Sequence, residues 1–253
     1  MRSADMFYQD GRSLYALPGG PYGVQLTDAV YKAIKAQPGT PVDALDWVHY
    51  DQFRFKPATA VGTTPQRLFQ IPVGAQAQVF NAAGETYTKD DIDTNQELNS
   101  QLPSGEAIIV DSIQVRLVIP GQTDTTYPTS GVGTEQPTNT AAAAKSDSVN
   151  QLQAMLEQAT LKFHVGTKDY EQGPLCLFPT EFGISGFAGA ATSNGNESVA
   201  NNGFGRPRLL MIQRLIPPQV NFWVEIRFIQ ALTIVRQCNL KVLLKGYKLR
   251  PVQ

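Results

Sequence analysis

The sequence predicts an all-β protein, on three observations: apolar residues recur with a period of two, turn formers punctuate them, and helical periodicity is scarce. Leu161, Phe163 and Val165 alternate with Lys162 and His164. Phe222, Val224, Ile226 and Phe228 alternate with Trp223, Glu225 and Arg227, and Ile113, Val115 and Leu117 with Gln114 and Arg116. Successive side chains of a strand point to opposite faces, so such alternation marks sheets with one face in a core and one face wetter. The 21 glycines and 17 prolines supply the turns.

Strands are predicted near 52–57, 67–72, 77–81, 107–119, 159–165, 173–178, 208–216, 220–230, 232–235 and 239–249. Eight to ten strands with almost no helix point to a two-sheet sandwich, and at this strand count to a jelly roll. Residues 1–50 form an N-terminal arm. Its turn-rich start (LPGGPYG) is irregular, and Thr27 caps a short helix over 27–37 with Val30, Ala33 and Ile34 on one face, ended by Pro38-Gly39. Residues 41–50 read as a further short turn of helix. The β domain spans 51–253, interrupted by long polar loops at 82–106, 120–148 and 179–207, with a turn or two of helix at 149–158.

The chain offers little for catalysis. It has two histidines, His49 and His164, far apart, with no cluster of His and carboxylate to hold a metal. No G-x-S-x-G, P-loop or C-x-x-C occurs. Cys176 and Cys238 each lie in an apolar stretch and read as two small buried hydrophobes, reduced. Asp91, Asp93 and Asn95 match the first three ligand positions of a calcium loop, but Gln96 stands where the turn glycine belongs and Leu102 where the bidentate Glu belongs. A solvated turn or subunit contact is the favoured reading of that stretch, with a non-helical calcium site as the alternative. No enzyme activity and no cofactor are expected.

Charge is the feature above background. Residues 1–205 carry 12 Lys and Arg against 21 Asp and Glu, whereas 206–253 carry nine against one, Glu225. Arg236, Lys241, Lys245, Lys248 and Arg250 form the candidate basic surface, facing a neighbouring copy or anionic lipid. Asp90, Asp91, Asp93 and Glu97 form the candidate acidic contact loop. The first twenty residues balance Arg2 and Arg12 against Asp5 and Asp10, so direct, sequence-specific nucleic-acid binding is not expected. The N-terminal stretch MRSADMFYQDG holds no apolar signal core, and no apolar run approaches the ~20 residues of a membrane span.

The segments LFQIPVG (68–74), DTNQE (93–97) and QLPSGEAIIVDSIQVRLV (101–118) resemble the opening of the jelly roll in capsid proteins of tailless icosahedral bacteriophages. IPPQVNFWVEIRF (216–228) and LKVLLKGYKLRPVQ (240–253) look like its closing strands. The spans 68–118 and 216–253 that hold these segments make up about a third of the chain. The resemblance implies a virion shell subunit in a trimeric or pseudo-hexameric capsomer, contacting other virion proteins and an internal lipid membrane. Some members of that family carry two jelly rolls in one chain. Here 253 residues, less an arm and three long loops, favour one. The alternative reading is a virion spike or a carbohydrate- or receptor-binding module.

Overall fold

A computed structural model describes residues 16–19, 23–26, 42–56, 59–79, 85–118, 154–178, 185–189, 196–200, 208–234 and 237–251. The described residues are mostly β. In chain order the strands are β1 (Ala16–Gly19), β2 (Gly23–Leu26), β3 (Val42–Phe55), β4 (Thr59–Val61), β5 (Gln66–Leu68), β6 (Gln76–Gln78), β7 (Thr86–Thr88) and β8 (Ala107–Val118). There follow β9 (Ala159–Val165), β10 (Lys168–Pro174), β11 (Ser185–Gly189), β12 (Asn196–Ala200), β13 (Arg208–Ile216), β14 (Phe222–Phe228), β15 (Leu232–Ile234) and β16 (Cys238–Pro251).

Two four-stranded antiparallel sheets carry the core. One runs β13-β8-β16-β3, the other β10-β9-β14-β5. Phe53, Ile113, Val115, Leu240, Val242 and Leu244 from the first sheet share one cluster with Leu161, Phe163, Phe222, Val224 and Ile226 from the second. Phe55 and Phe228 meet edge-on across the two sheets, with ring centroids 6.3 Å apart. The alternation read from the sequence is the alternation that packs: β9 and β14 bury every second residue, and their partners are in register (Val224 with Phe163, Ile226 with Leu161). The turn Gly166-Thr167 links β9 to β10, with Gly166 at φ 63°, a conformation that glycine adopts without penalty.

Several expectations are corrected. Residues 42–50 are the first part of β3, not helix, and β3 crosses the boundary drawn between 50 and 51. The reason is long-range pairing: all fourteen residues of β3 have a partner in β16, from Val42 with Pro251 to Phe55 with Cys238. Such a ladder overrides a weak local helix propensity. The turn-rich arm contains the β1–β2 hairpin, and the 179–207 loop contains the β11–β12 hairpin. The strand expected at 173–178 ends early, because Pro174 has no N–H for the ladder. A 3-10 turn (Leu175–Leu177) follows; it buries Leu175 and leaves Cys176 exposed, against the expectation that both cysteines are buried. Buried Cys238 lies 3.6 Å from the sulfur of Met155. Residues 154–158 are helical, as expected within 149–158. The helix expected at 27–37 and the 120–148 loop lie outside the described residues.

One irregularity shapes the main sheet. Lys245 pairs with Ser112 but Gly246 pairs with Val110, so Asp111 is an extra residue in β8. This bulge lets Val110 and Ile113 both face the main core, while Ile109 turns to a second cluster with Ala107 and Leu249. The close approach is possible only at glycine: a Cβ on Gly246 would lie 1.8 Å from the Ile109 carbonyl oxygen. Gly246→Ala is therefore expected to destabilise the fold by about 3 kcal/mol or to prevent folding. Gly62→Ala, where nothing lies within 4 Å of the added carbon, should stay within about 0.5 kcal/mol of the parent. Thermal melts of both variants check this, and equal melting temperatures would overturn the assignment.

Candidate functional site

Because β3 ends the first sheet, its outer edge presents backbone groups with no strand to meet them. Residues 93–96 take that place. The Asn95 side chain accepts from Tyr50 N–H (2.9 Å) and donates to the Val48 carbonyl (2.8 Å), and Asn95 N–H donates to the Tyr50 carbonyl (3.2 Å). The Thr94 hydroxyl donates to the same carbonyl. One loop thus closes the edge with side-chain amide and hydroxyl groups in place of a strand.

The loop straddles β3. On the outer face, fully buried Asp93 accepts from Arg54 through both carboxylate oxygens at 2.7 Å, and also from the Gln52 amide. Burial pushes the Asp93 carboxyl up, but Arg54, the Asp90 N–H and Gln52 outweigh it and the group sits below the usual carboxylate value. On the inner face, Asp51 and Lys89 form a buried ion pair. Asp51 also accepts from the N–H groups of Phe69 (2.5 Å) and Gln52 (2.9 Å). Burial pushes the Asp51 carboxyl up, while Lys89 and the two N–H groups act against it.

Phe69 stands in the left-handed region at φ 68°, a conformation that costs a bulky residue about 1–3 kcal/mol. Its bond to Asp51 and its stacking on His49, with centroids 5.2 Å apart, hold it there. His49 is fully buried. The Gln96 amide nitrogen donates to the carbonyls of Leu98 (2.5 Å) and Gln101 (2.9 Å), which turns its oxygen toward His49. His49 Nε2 then carries the proton and donates to that oxygen. Burial lowers the His49 pKa to about 4, the Gln96 bond acting the other way and Lys248 acting with burial.

The acidic loop and the basic last strand do meet, within one subunit. Lys241 donates to the Ile92 carbonyl and lies over the Tyr50 ring, 4.8 Å from its centroid. The Tyr50 hydroxyl donates to the Asp91 carbonyl. Lys248 pairs with Glu106 (2.7 Å), approaches Glu97 (3.8 Å) and covers the Trp47 ring. Arg250 pairs with Asp43 at 3.3 Å. Lys241 and Lys245 share the outer face of β16, whereas Lys248 faces the other side, as an even-numbered residue on a strand must. Lys248 keeps only 12% of its side chain exposed, so it is not part of one outward basic surface with Lys241 and Lys245. Arg236 lies outside the described residues. Asp93 is likewise no contact residue, being consumed by Arg54. Of the three calcium-loop positions, Asp93 is taken by Arg54 and Asn95 by the β3 backbone, and among the described residues no group of three or more His, Cys, Asp or Glu could hold a metal.

Sequence reasoning assigned no place in this layer to His49, Asp51, Lys89, Gln96 or Trp47. The usable signal was the period of two in 47–55, which puts Trp47, His49, Asp51, Phe53 and Phe55 on one face once 42–50 is read as strand. A second cluster lies on the outer face of the other sheet. His164 stacks on Trp223 (4.8 Å, 20°), Arg67 lies 4.9 Å from the Trp223 centroid, and Asp169 meets His164 Nδ1 at 2.5 Å. No family model matches the chain, and no curated protein or solved structure matches it significantly.

Two predictions follow from the charged layer. Lys89→Met strands the Asp51 carboxylate and should destabilise the fold by about 3–5 kcal/mol at neutral pH. The unpaired carboxyl then has a folded pKa above its unfolded value, so the folded state gains stability as pH falls through that pKa. The gap in melting temperature between variant and parent should narrow at lower pH; a gap independent of pH would show that Asp51 is not the stranded group. For His49 the sign is opposite, because its folded pKa of about 4 lies below the ordinary 6.5. Its contribution, about 3 kcal/mol, is fully present above pH 6.5 and is lost as pH falls toward 4. Denaturant unfolding between pH 7 and 5 should show this loss in the parent and a flatter profile in His49→Phe.

Proposed function

We propose that the chain is a structural subunit of a virion shell, built as a single jelly roll, that acts by assembling with copies of itself. The observation that carries this reading is the pairing order of the eight core strands. Counted along the chain as β3, β5, β8, β9, β10, β13, β14 and β16, the first pairs with the eighth, the second with the seventh, the third with the sixth and the fourth with the fifth. That is an antiparallel ribbon doubled back on itself and wrapped into two sheets, which is how a jelly roll is made. One such pair of sheets among the described residues favours one jelly roll over two.

A fold by itself hosts many functions, so the site must be weighed. The charged layer around β3 is spent on closing an edge and offers no nucleophile, base and orienting group in one place. A sugar platform needs an aromatic ring with a free face. Trp223 has His164 from β9 on one side and Arg67 from β5 on the other, and Lys248 lies over Trp47. These contacts disfavour the carbohydrate-binding alternative. The segments that resemble phage capsid proteins coincide with parts that build the barrel: 68–74 carries Phe69 and 93–97 carries the edge closure. In this reading the partners are further copies in a trimeric or pseudo-hexameric capsomer, other virion proteins and an internal lipid membrane, and the location is the virion.

The test is direct. Purified full-length chain is imaged by electron microscopy and sized by analytical ultracentrifugation over a range of salt and concentration. Uniform capsomers or closed shells are expected, and the chain should be a dominant band of the purified particle. A monomer under every condition, together with minor abundance in the particle, would replace the shell reading by the spike.

A further inference from the structure

A pocket of about 10 Å³, room for one water-sized group, lies beside the middle of the β3–β16 pair. Trp47, His49, Glu97, Gln101, Glu106 and Lys248 line it. His49 is 3% exposed, and its Nε2 proton is already given to Gln96. Its other ring nitrogen, Nδ1, is therefore a buried acceptor, and it has no hydrogen-bond partner. The indole N–H of Trp47 is a buried donor, also without a partner. Buried polar atoms are nearly always satisfied, by protein or by a bound molecule.

The charges select the class of molecule. Lys248 sits against Glu106 and near Glu97, so a further cation would meet Lys248 and an anion would meet two carboxylates. His49 itself is neutral, since burial holds its pKa far below 7. What remains is a neutral group able to donate to one nitrogen and accept from another. A hydroxyl does both with one oxygen. A carbonyl cannot serve Nδ1, and an ammonium cannot serve the indole.

We infer that this pocket seats one water-sized neutral hydroxyl, a water molecule or a single hydroxyl of a small polyol reaching in from solvent, with His49 Nδ1 as its acceptor and the Trp47 N–H as its donor. The bound oxygen bridges Trp47 and His49 of β3, in a pocket that Asn95, Glu97 and Glu106 also line. The inference is independent of the shell reading, because it concerns the isolated subunit.

Crystals of the full-length chain grown without polyol, then soaked in glycerol, test it. An oxygen within about 2.6–3.2 Å of His49 Nδ1 is expected in both. A lone oxygen in both identifies water as the resident, and its replacement by glycerol identifies a polyol seat. No density at Nδ1 in either crystal, or a protein atom filling the position, overturns the inference. His49→Phe keeps a ring for the stack on Phe69 and should lose the oxygen; an oxygen that persists there would show that His49 does not hold it. Should that variant not fold, long-range ¹H–¹⁵N spectra of the native chain give the same decision. Nε2–H with Nδ1 shifted as a hydrogen-bonded acceptor supports the site, and a proton on Nδ1 overturns it.

Discussion

The structure depends on how the outer edge of β3 is closed. An edge strand of fourteen residues offers a long template for pairing with any other chain, and proteins suppress such edges by covering, charging or bending them. Here the cover is a loop. Asn95 bonds the N–H of Tyr50 and the carbonyl of Val48, while its own N–H meets the Tyr50 carbonyl. A short polar side chain reproduces a strand's pattern for a residue or two and then departs, so the sheet stops there. The loop is held in place from both faces, by Asp93 on Arg54 outside and by Lys89 on Asp51 and Gln96 on His49 inside.

That arrangement has a thermodynamic consequence. Burying Asp51, Lys89 and Asp93 forfeits hydration that the pairing only partly restores, so the layer adds less net stability than an apolar one of equal volume. It adds register instead. A loop shifted by one residue would take Asp93 off Arg54 and Gln52 and leave a buried carboxylate unpaired, at several kcal/mol. The polar layer thus narrows the choice to one docking of the loop. The strained backbone at Phe69 belongs to the same set: its N–H reaches Asp51 only because the chain turns through φ 68° there.

The parts of this fold that were legible in the sequence are those governed by local period. Residues 159–165 and 222–228 alternate cleanly because each strand has one buried face, and the structure places them as read. Residues 42–50 were not legible, because VDALDWVHY mixes polar and apolar positions without clean alternation and its strand state comes from β16, some two hundred residues later. The charged stretch 90–97 misled for a related reason. An Asp-rich segment in isolation reads as solvated or ligating, and nothing local tells that Arg54 waits under Asp93. Cys176 was misjudged because a single 3-10 turn reverses which residue points inward. Pair partners separated by 38 to 47 positions, as in Asp51–Lys89 and His49–Gln96, leave no signal in a single sequence.

The unequal distribution of charge along the chain acquires a structural reason from the same topology. The last strand pairs with β3 and lies beside the loop that closes its edge, so basic residues of 241–250 come to rest against acidic residues of 43–106. Lys248 reaches Glu106, Arg250 reaches Asp43, and Lys241 reaches the backbone of the acidic loop at Ile92. Compensation that a linear reading would seek in a neighbouring molecule is supplied inside the subunit. Each exposed pair contributes only about 0–1 kcal/mol, but their combined effect is to keep the two ends of the chain from repelling or attracting other copies without selectivity. In the proposed shell, contacts between copies would rest on other surfaces, among them the exposed apolar side chains of Ile92, Leu209 and Ile229. Apolar contacts are not weakened when salt screens charge, so in that reading the specificity of assembly lies in shape and apolar burial rather than in the sign of the charge.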